Sequence, residues 1–339
     1  MKKSGVLIVT EANNKVASGH LFECIVCYNE LIKWIPDTFL MVNSDMPPQF
    51  KEKLPQGYCE YRSDIQMESD YLVQYILENQ IGVIVFNLRE ISNDFIKRIR
   101  HALSVRIICI DEFGHRTLDA DIIINPMIDE SYWQYDSNAA LYCGAEYLVL
   151  PPKIVKYHDM DKRINEVIRT VTVSMGGVDA PGSTLKIAKW LLNIWENVQL
   201  NIVIGGGFSY REELNEIIKN KEHVAVYQNI DFIYDLFFES DLAICAGGNT
   251  LHELAIIGVP TMVIPSMPHE LKNGQAFQNK GFSFCCDLAD EIKKEDFINR
   301  LKMLESAEQR RLMCLCGKKA ADGKGYERVC SIVRNSMQE

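Results

Sequence analysis

Three glycine-rich turns in the second half of the chain and one Gly-His pair near its start have the residue types and spacing for chemistry. In AICAGGNTLHELAIIGVPTMVIP, Ala243 to Pro265, an apolar run ends at Ala246 and Gly247 and Gly248 permit a close turn. Asn249 or Thr250 can then cap a helix carrying Leu251, Glu253, Leu254 and Ile257, which Gly258 and Pro260 end. Such a helix start offers backbone N–H groups to a diphosphate, although open parallel sheets also use these turns with no ligand. Glu253 lies about one helical turn further in, where a carboxylate accepts hydrogen bonds from sugar or ribose hydroxyls unless it is simply a surface glutamate. The same strand–glycine–helix order recurs in SMGGVDAPGST, which holds Ser174, Gly176, Gly177 and Asp179, and in VIGGGFSYREEL, which holds Gly205 and Gly206. Neither fits the Walker pattern or the full dinucleotide fingerprint. Together the three turns point to a pyrophosphate-bearing ligand and away from an ATPase.

The pair Gly19-His20 sits in KVASGHLFEC, Lys15 to Cys24, between a strand-like run and a helical one. His20 is either a proton-transfer residue or a helix-start residue that packs and hydrogen-bonds. Asp111 and Glu112 end the VRIICI run, ahead of Gly114, His115 and Arg116. Open-sheet sites form at such strand ends, so Asp111 either positions substrate or water, or fixes a strand-end turn. His115, His252 and His269 lack a metal-ligand spacing, and the CxxC of Cys24 and Cys27 and the CxC of Cys314 and Cys316 are not joined as a finger-type site. No metal and no cofactor is expected.

The elements that must position these residues are read from apolar runs. GVLIVTEA, TFLMVNS, GVIVFNL, VRIICID and ADIIINP read as strands in the first half, with helical spacing in FECIVCYNELIKWI and MESDYLVQYILENQ. After PPKIVKYHDMDKRINEVI the rhythm restarts with RTVTVSMGG, QLNIVIGGG, HVAVYQNI, DLAICAGG, TMVIPSM and FSFCCDL. The 339 residues therefore divide into 1–152, a connector over 153–168, a second α/β domain over 169–304, and C-terminal helices over 305–339 that pack on either domain or cross back over their junction. Two open parallel-sheet domains facing across a cleft fit better than one continuous barrel. A net charge of −10 argues against a nucleic-acid backbone as partner. Eleven cysteines scattered through apolar runs suit a reducing cytoplasm, and the MKKSGVLIVTEA start is too short and mixed for a signal peptide or a membrane span.

Gly247 to Pro265, followed by PHELKNGQAF at Pro268 to Phe277, resembles the donor-binding signature of two-domain GT-B glycosyltransferases, especially the lipid-linked muropeptide N-acetylglucosaminyltransferase group. The GH motif, IDEFGHRTLDADIIINP and ADGKGYERV resemble the sugar-nucleotide hydrolases of pseudaminic-acid biosynthesis and related spore-coat polysaccharide proteins. The resemblance implies a GT-B-like fold in which Gly247, Gly248, Asn249 and Thr250 hold diphosphate and Glu253 receives ribose hydroxyls. It implies that Asn273 or Gln275 lies near sugar or diphosphate, that Ser174 to Asp179 borders the cleft, and that His20, after Gly19, is the catalytic histidine. The hydrolases carry an arginine and an aspartate before the GH motif and an arginine after it; Val9, Glu11 and Glu23 stand there instead. Exchanging positive charge for carboxylates should alter both ligand electrostatics and the titration of His20.

The expectation is a cytoplasmic UDP-sugar hydrolase in which His20 activates water for inverting attack at the anomeric carbon of an acetamido-deoxy sugar, releasing UDP. UDP belongs to the substrate, and other sugar-biosynthesis enzymes are the expected partners. Two alternatives use the same donor cradle: a glycosyltransferase with a hydroxyl acceptor, and a noncatalytic sugar-nucleotide-binding protein.

Overall fold

The computed structural model describes residues 4–12, 19–62, 64–228, 230 and 232–338. Met1 to Lys3, the Lys15 to Ser18 part of the KVASGHLFEC stretch, and Asn229 of the HVAVYQNI run lie outside them. The chain forms two units, one of residues 1–152 with 324–339 and one of residues 153–323.

In chain order the first unit holds β1 (Gly5–Thr10), α1 (Gly19–Leu31), β2 (Thr38–Asn43), α2 (Pro48–Lys51), β3 (Cys59–Tyr61), α3 (Ser69–Glu78), β4 (Ile81–Asn87), α4 (Asn93–Ala102), β5 (Arg106–Ile110), β6 (Ile122–Asn125) and β7 (Ala140–Cys143). The sheet is parallel throughout, in the order β3-β2-β1-β4-β5-β6-β7. Strand order therefore reverses between β1 and β4. The strands are near-continuous apolar runs because both faces are covered: Val6 and Ile8 enter one core cluster, Leu7 and Val9 the other. Val9 is thus a core residue.

The second unit holds α5 (Val155–Asp159), β8 (Thr170–Ser174), α6 (Ser183–Ile194), β9 (Gln199–Ile204), α7 (Arg211–Ile218), β10 (Val224–Gln228), α8 (Ile233–Glu239), β11 (Leu242–Cys245), α9 (Asn249–Ile257), β12 (Thr261–Val263), α10 (Pro268–Asn279), β13 (Ser283–Cys285), α11 (Lys294–Leu304) and α12 (Ala307–Ala320). Its sheet is also parallel, in the order β10-β9-β8-β11-β12-β13, reversing between β8 and β11. Ligands of open α/β sheets bind beyond the carboxyl ends of strands at such reversals, so each unit has one preferred position for a site.

The C-terminal helices divide between the units. α12 packs on α9 in the second unit, while the last helix, α13 (Gly325–Ser336), packs on α1 in the first. Residues 153–168, read as a connector, are part of the second unit. The edge strands β3 and β7 were not marked by apolar runs, because they are only partly buried.

Candidate functional site

In the first unit the reversal is occupied by charged and amide side chains. α1 begins at Gly19, which places His20 in its first turn. His20 Nδ1 lies 2.6 Å from Asn87 Oδ1 at the end of β4, and Asn87 Nδ2 donates to Glu23 Oε2 at 3.1 Å. Asn87 and Glu23 are both buried. Glu11 accepts from the Arg89 backbone N–H at 2.9 Å. Burial by itself would push the His20 ring below its usual range. The carboxylates of Glu112 and Glu23, the Asn87 hydrogen bond and the carboxylate of Glu11 outweigh it and raise the ring's pKa. The expected change in histidine titration therefore comes from Glu11, Glu23 and Glu112; Val9 faces the core.

Asp111 does not join this group. Its Oδ2 accepts from the Gly114 backbone N–H at 2.9 Å and the Tyr135 hydroxyl at 2.6 Å, and its Oδ1 pairs with Arg116. Gly114 adopts φ +62°, and a Cβ there would lie 1.9 Å from the Tyr132 carbonyl oxygen. Asp111 thus organises the turn after β5, the second of the two readings open to it, with both oxygens committed.

In the second unit the reversal is lined by backbone. Gly247 is buried, and a Cβ on it would lie 2.2 Å from the Glu270 carbonyl oxygen, so only glycine lets the β11–α9 turn approach α10 this closely. The N-cap of α9 is Gly248 in extended conformation, with no side-chain cap. Asn249 and Thr250 are therefore helical rather than capping residues. No side chain caps the first-turn N–H groups, and that of Leu251 bonds the Gly248 carbonyl at 2.9 Å; a helix start without a side-chain cap suits an anion. Glu270 stands beside the turn, with Oε2 accepting from the Ser266 N–H at 2.7 Å.

One turn into α9, Glu253 Oε1 accepts the Tyr234 hydroxyl of α8 at 3.0 Å, and Lys153 Nζ lies 5.3 Å from the Tyr234 ring centre. Burial pushes the Glu253 carboxyl up to about 7, against the Tyr234 hydrogen bond and the Lys153 charge, which both pull it down. Its neighbour His252 turns the other way, edge-on to Phe277 with ring centres 4.9 Å apart, and burial lowers it to about 4. It is a packing residue.

The other expected binding residues fall into two groups. Gly176, Gly177, Gly206, Asn249 and Gln275 are exposed. Gly205 and Gly177 hold the first two turns together, since Gly207 N–H donates to the Gly177 carbonyl at 2.9 Å and a Cβ on Gly205 would meet Gly177 at 2.3 Å. Asp179, Asn273 and Ser174 are buried. Asp179 caps α6 by accepting from the N–H groups of Ser183 (2.9 Å) and Thr184 (2.8 Å), and Asn273 Nδ2 donates to the Gly247 carbonyl at 3.0 Å. Both side chains build the loops. Sequence reading missed Asn87 and Tyr234; for Asn87, an asparagine closing each of the runs TFLMVN, GVIVFN and IIIN was the available signal. Each of those asparagines clasps the backbone or a side chain beyond its strand. Among the described residues no group of three or more His, Cys, Asp or Glu is placed to hold a metal, and no helix is long and apolar enough to cross a membrane.

Residues 170–322 match the model of the Glycosyltransferase family 28 C-terminal domain, which covers the glycine turns and Glu253. The chain is 22% identical to the spore coat polysaccharide biosynthesis protein SpsG of Bacillus subtilis over 80% of its own length and 82% of that protein's. It is 31% identical to the UDP-N-acetylglucosamine--N-acetylmuramyl-(pentapeptide) pyrophosphoryl-undecaprenol N-acetylglucosamine transferase of Flavobacterium psychrophilum over 40% of its length and 42% of that enzyme's. An uncharacterized protein of Methanocaldococcus jannaschii is 23% identical over 76% of this chain, which spans only 55% of that protein. In fold the chain is similar to the crystal structure of MurG from Acinetobacter baumannii, with a TM-score of 0.71, 12% identity, and coverage of 98% of this chain and 99% of the other. A putative UDP-N-acetylglucosamine 2-epimerase from Listeria monocytogenes gives 0.66, with 12% identity and coverage of 98% and 96%.

The fold class is therefore the one expected, a pair of open parallel-sheet domains of the GT-B type. The chain is related in sequence to UDP-sugar transferases. The expectation of a hydrolase is corrected: the named relatives and structural neighbours are transferases, an epimerase and a polysaccharide biosynthesis protein, and nothing among them points to pseudaminic acid. The Gly19-His20 pair carried that reading, and a histidine at that place suits an acceptor hydroxyl as well as water.

Proposed function

We propose that this protein is a glycosyltransferase of polysaccharide biosynthesis that moves a sugar from a UDP-sugar donor to a hydroxyl acceptor. The second unit serves the donor. Uncapped N–H groups at the start of α9 and the glycine turn at Gly247 and Gly248 receive the diphosphate, with Gly176, Gly177, Gly205 and Gly206 alongside at the neighbouring strand ends. Thr250 stands at the same helix start, and Asn273 shapes the turn through the Gly247 carbonyl. Glu253 takes the ribose hydroxyls in place of the Tyr234 hydroxyl.

The first unit serves the proton transfer. His20 removes the proton from the acceptor hydroxyl as its oxygen bonds to the anomeric carbon. The bond from that carbon to the diphosphate oxygen breaks, and its electron pair leaves with UDP, where backbone N–H groups meet the growing charge. One displacement of this kind inverts the anomeric centre.

The observation that carries this reading is the uncapped α9 start with Glu253 one turn inside, lying within the segment that matches the glycosyltransferase family 28 model. Its test is a time course of UDP release from a panel of UDP-sugars with and without extracted acceptors. Acceptor-dependent release with a new glycoside is the expected result. UDP-sugar bound but unchanged with every acceptor, or released at the same rate without one, would overturn it.

A further inference from the structure

We propose that Asn87 and Glu23 form a positioning relay that holds the His20 ring in its Nδ1–H tautomer and leaves Nε2 as the proton acceptor. The inference rests on the proposed proton-transfer role of His20 and adds which ring nitrogen acts and what sets it.

The logic is one of donors and acceptors. An amide has one face that donates and one that accepts, and in isolation Asn87 has no reason to prefer either orientation. Glu23 supplies the reason: its carboxylate accepts, so the Asn87 Nδ2 group must face it, at 3.1 Å. Asn87 Oδ1 is thereby turned toward His20 Nδ1, 2.6 Å away, and that nitrogen must carry the hydrogen. A neutral imidazole with Nδ1 protonated has its lone pair on Nε2. Among the described residues Nδ1 is the ring nitrogen with a recorded partner.

Position reinforces chemistry. Asn87 is the last residue of β4 and is fully buried, Glu23 lies one turn along α1 from His20 and is 5% exposed, and β4 adjoins β1 at the strand reversal. A carboxylate buried in an α/β core is costly unless hydrogen bonds and opposite charge compensate it, and the Asn87 amide supplies one such bond. Here it fixes an amide. The remaining charges around the ring, Glu11 at the exit of β1 and Glu112 after β5, both favour the imidazolium, and Glu11 accepts from the Arg89 backbone N–H. Of the nearby cations, Arg89 contributes its backbone N–H to Glu11 and sets its guanidinium 6.0 Å from the Phe113 ring centre, and Arg116 is paired with Asp111.

The relay is tested by long-range proton–nitrogen correlation spectra of the His20 ring in labelled protein, recorded above its titration and read against His20→Ala for assignment. The wild type should show Nδ1 protonated; an Nε2–H ring in the wild type overturns the relay without any variant. Glu23→Gln presents either a donor or an acceptor to Asn87, so the ring should become a mixture of tautomers, whereas Asn87→Asp keeps an acceptor on His20 and should retain the Nδ1–H form. Glu112→Gln separates charge from relay: it should lower the pH at which His20 titrates and leave the tautomer unchanged. In the transfer assay Glu23→Gln should lower kcat on the order of tenfold with KM nearly constant. A tautomer unmoved in Glu23→Gln sinks the relay, while full transfer activity in His20→Ala sinks the proposed reaction and leaves the tautomer result standing.

Discussion

The two strand-order reversals solve different problems with different atoms. Between β1 and β4 the chain gathers side chains: a histidine, a buried amide and three carboxylates from separate elements. Between β8 and β11 glycine turns and a helix start without a side-chain cap prevail, with Glu270 beside the turn and Glu253 one turn deeper. In the proposed reaction the first arrangement moves a proton, and the second receives an anion on backbone N–H groups. An acidic protein can therefore hold a diphosphate, since N–H groups at a helix start bring no net charge with them.

Substitutions can break this division of labour. The largest effect is expected for His20→Ala, which should lower transfer about 10²- to 10⁴-fold while calorimetric UDP affinity stays within about twofold. Parallel losses of turnover and UDP affinity would mean that the two reversals are not separable. Glu253→Ala should do the reverse, weakening UDP about tenfold or more with a smaller change in kcat, because a hydroxyl-binding carboxylate is removed. Gly247→Ala drives a methyl into the Glu270 carbonyl, 2.2 Å from the added carbon, and should lower stability by about 1–3 kcal/mol in denaturant titration along with UDP affinity. Gly176→Ala, whose Cβ would meet nothing within 4 Å but whose φ is +85°, should cost only about 1 kcal/mol. Equal losses at the two glycines would show that close approach is not what Gly247 provides.

Protons sharpen the comparison further. Glu253 binds its proton more tightly folded than unfolded, titrating at about 7 against 4.5. Between those values the folded state holds more protons, so this group's contribution to stability is complete below 4.5 and falls as pH rises through about 7. Glu253→Gln should remove that slope in thermal unfolding followed from pH 5 to 8. The raised His20 likewise stabilises the folded state below 6.5 and ceases to do so as pH rises through its higher folded value. Transfer needs the neutral ring, so the acid limb of kcat/KM should lie above 6.5 and move down in Glu112→Gln.

Much of the fold was legible because parallel strands covered on both faces are apolar without interruption, and eleven of the thirteen strands among the described residues were marked by apolar runs. β3 and β7 escaped for the converse reason: at the sheet edges only one of their combined seven residues, Tyr61, is buried. The glycine turns and His20 were legible from local chemistry. Asn87 was not, standing 67 residues from His20, nor was Tyr234, which sits 19 residues before Glu253 on another helix. Asp111 and Asp179 show the opposite difficulty. Polar residues beside glycines look available in a sequence, yet backbone N–H groups three to five residues away and, for Asp111, the Arg116 side chain hold their oxygens.

The return of α13 to the first unit has a consequence for biogenesis. Gly325 begins that helix so close to Leu148 that a Cβ would lie 2.0 Å from its carbonyl oxygen, and Val329, Cys330 and Val333 complete the core around α1. On the ribosome the unit bearing His20 is synthesised first but lacks its last packing layer until the whole of the other unit has emerged. The histidine helix is made before the other unit and fully enclosed only after it, so a chain interrupted before residue 324 would present α1 with an apolar face still uncovered.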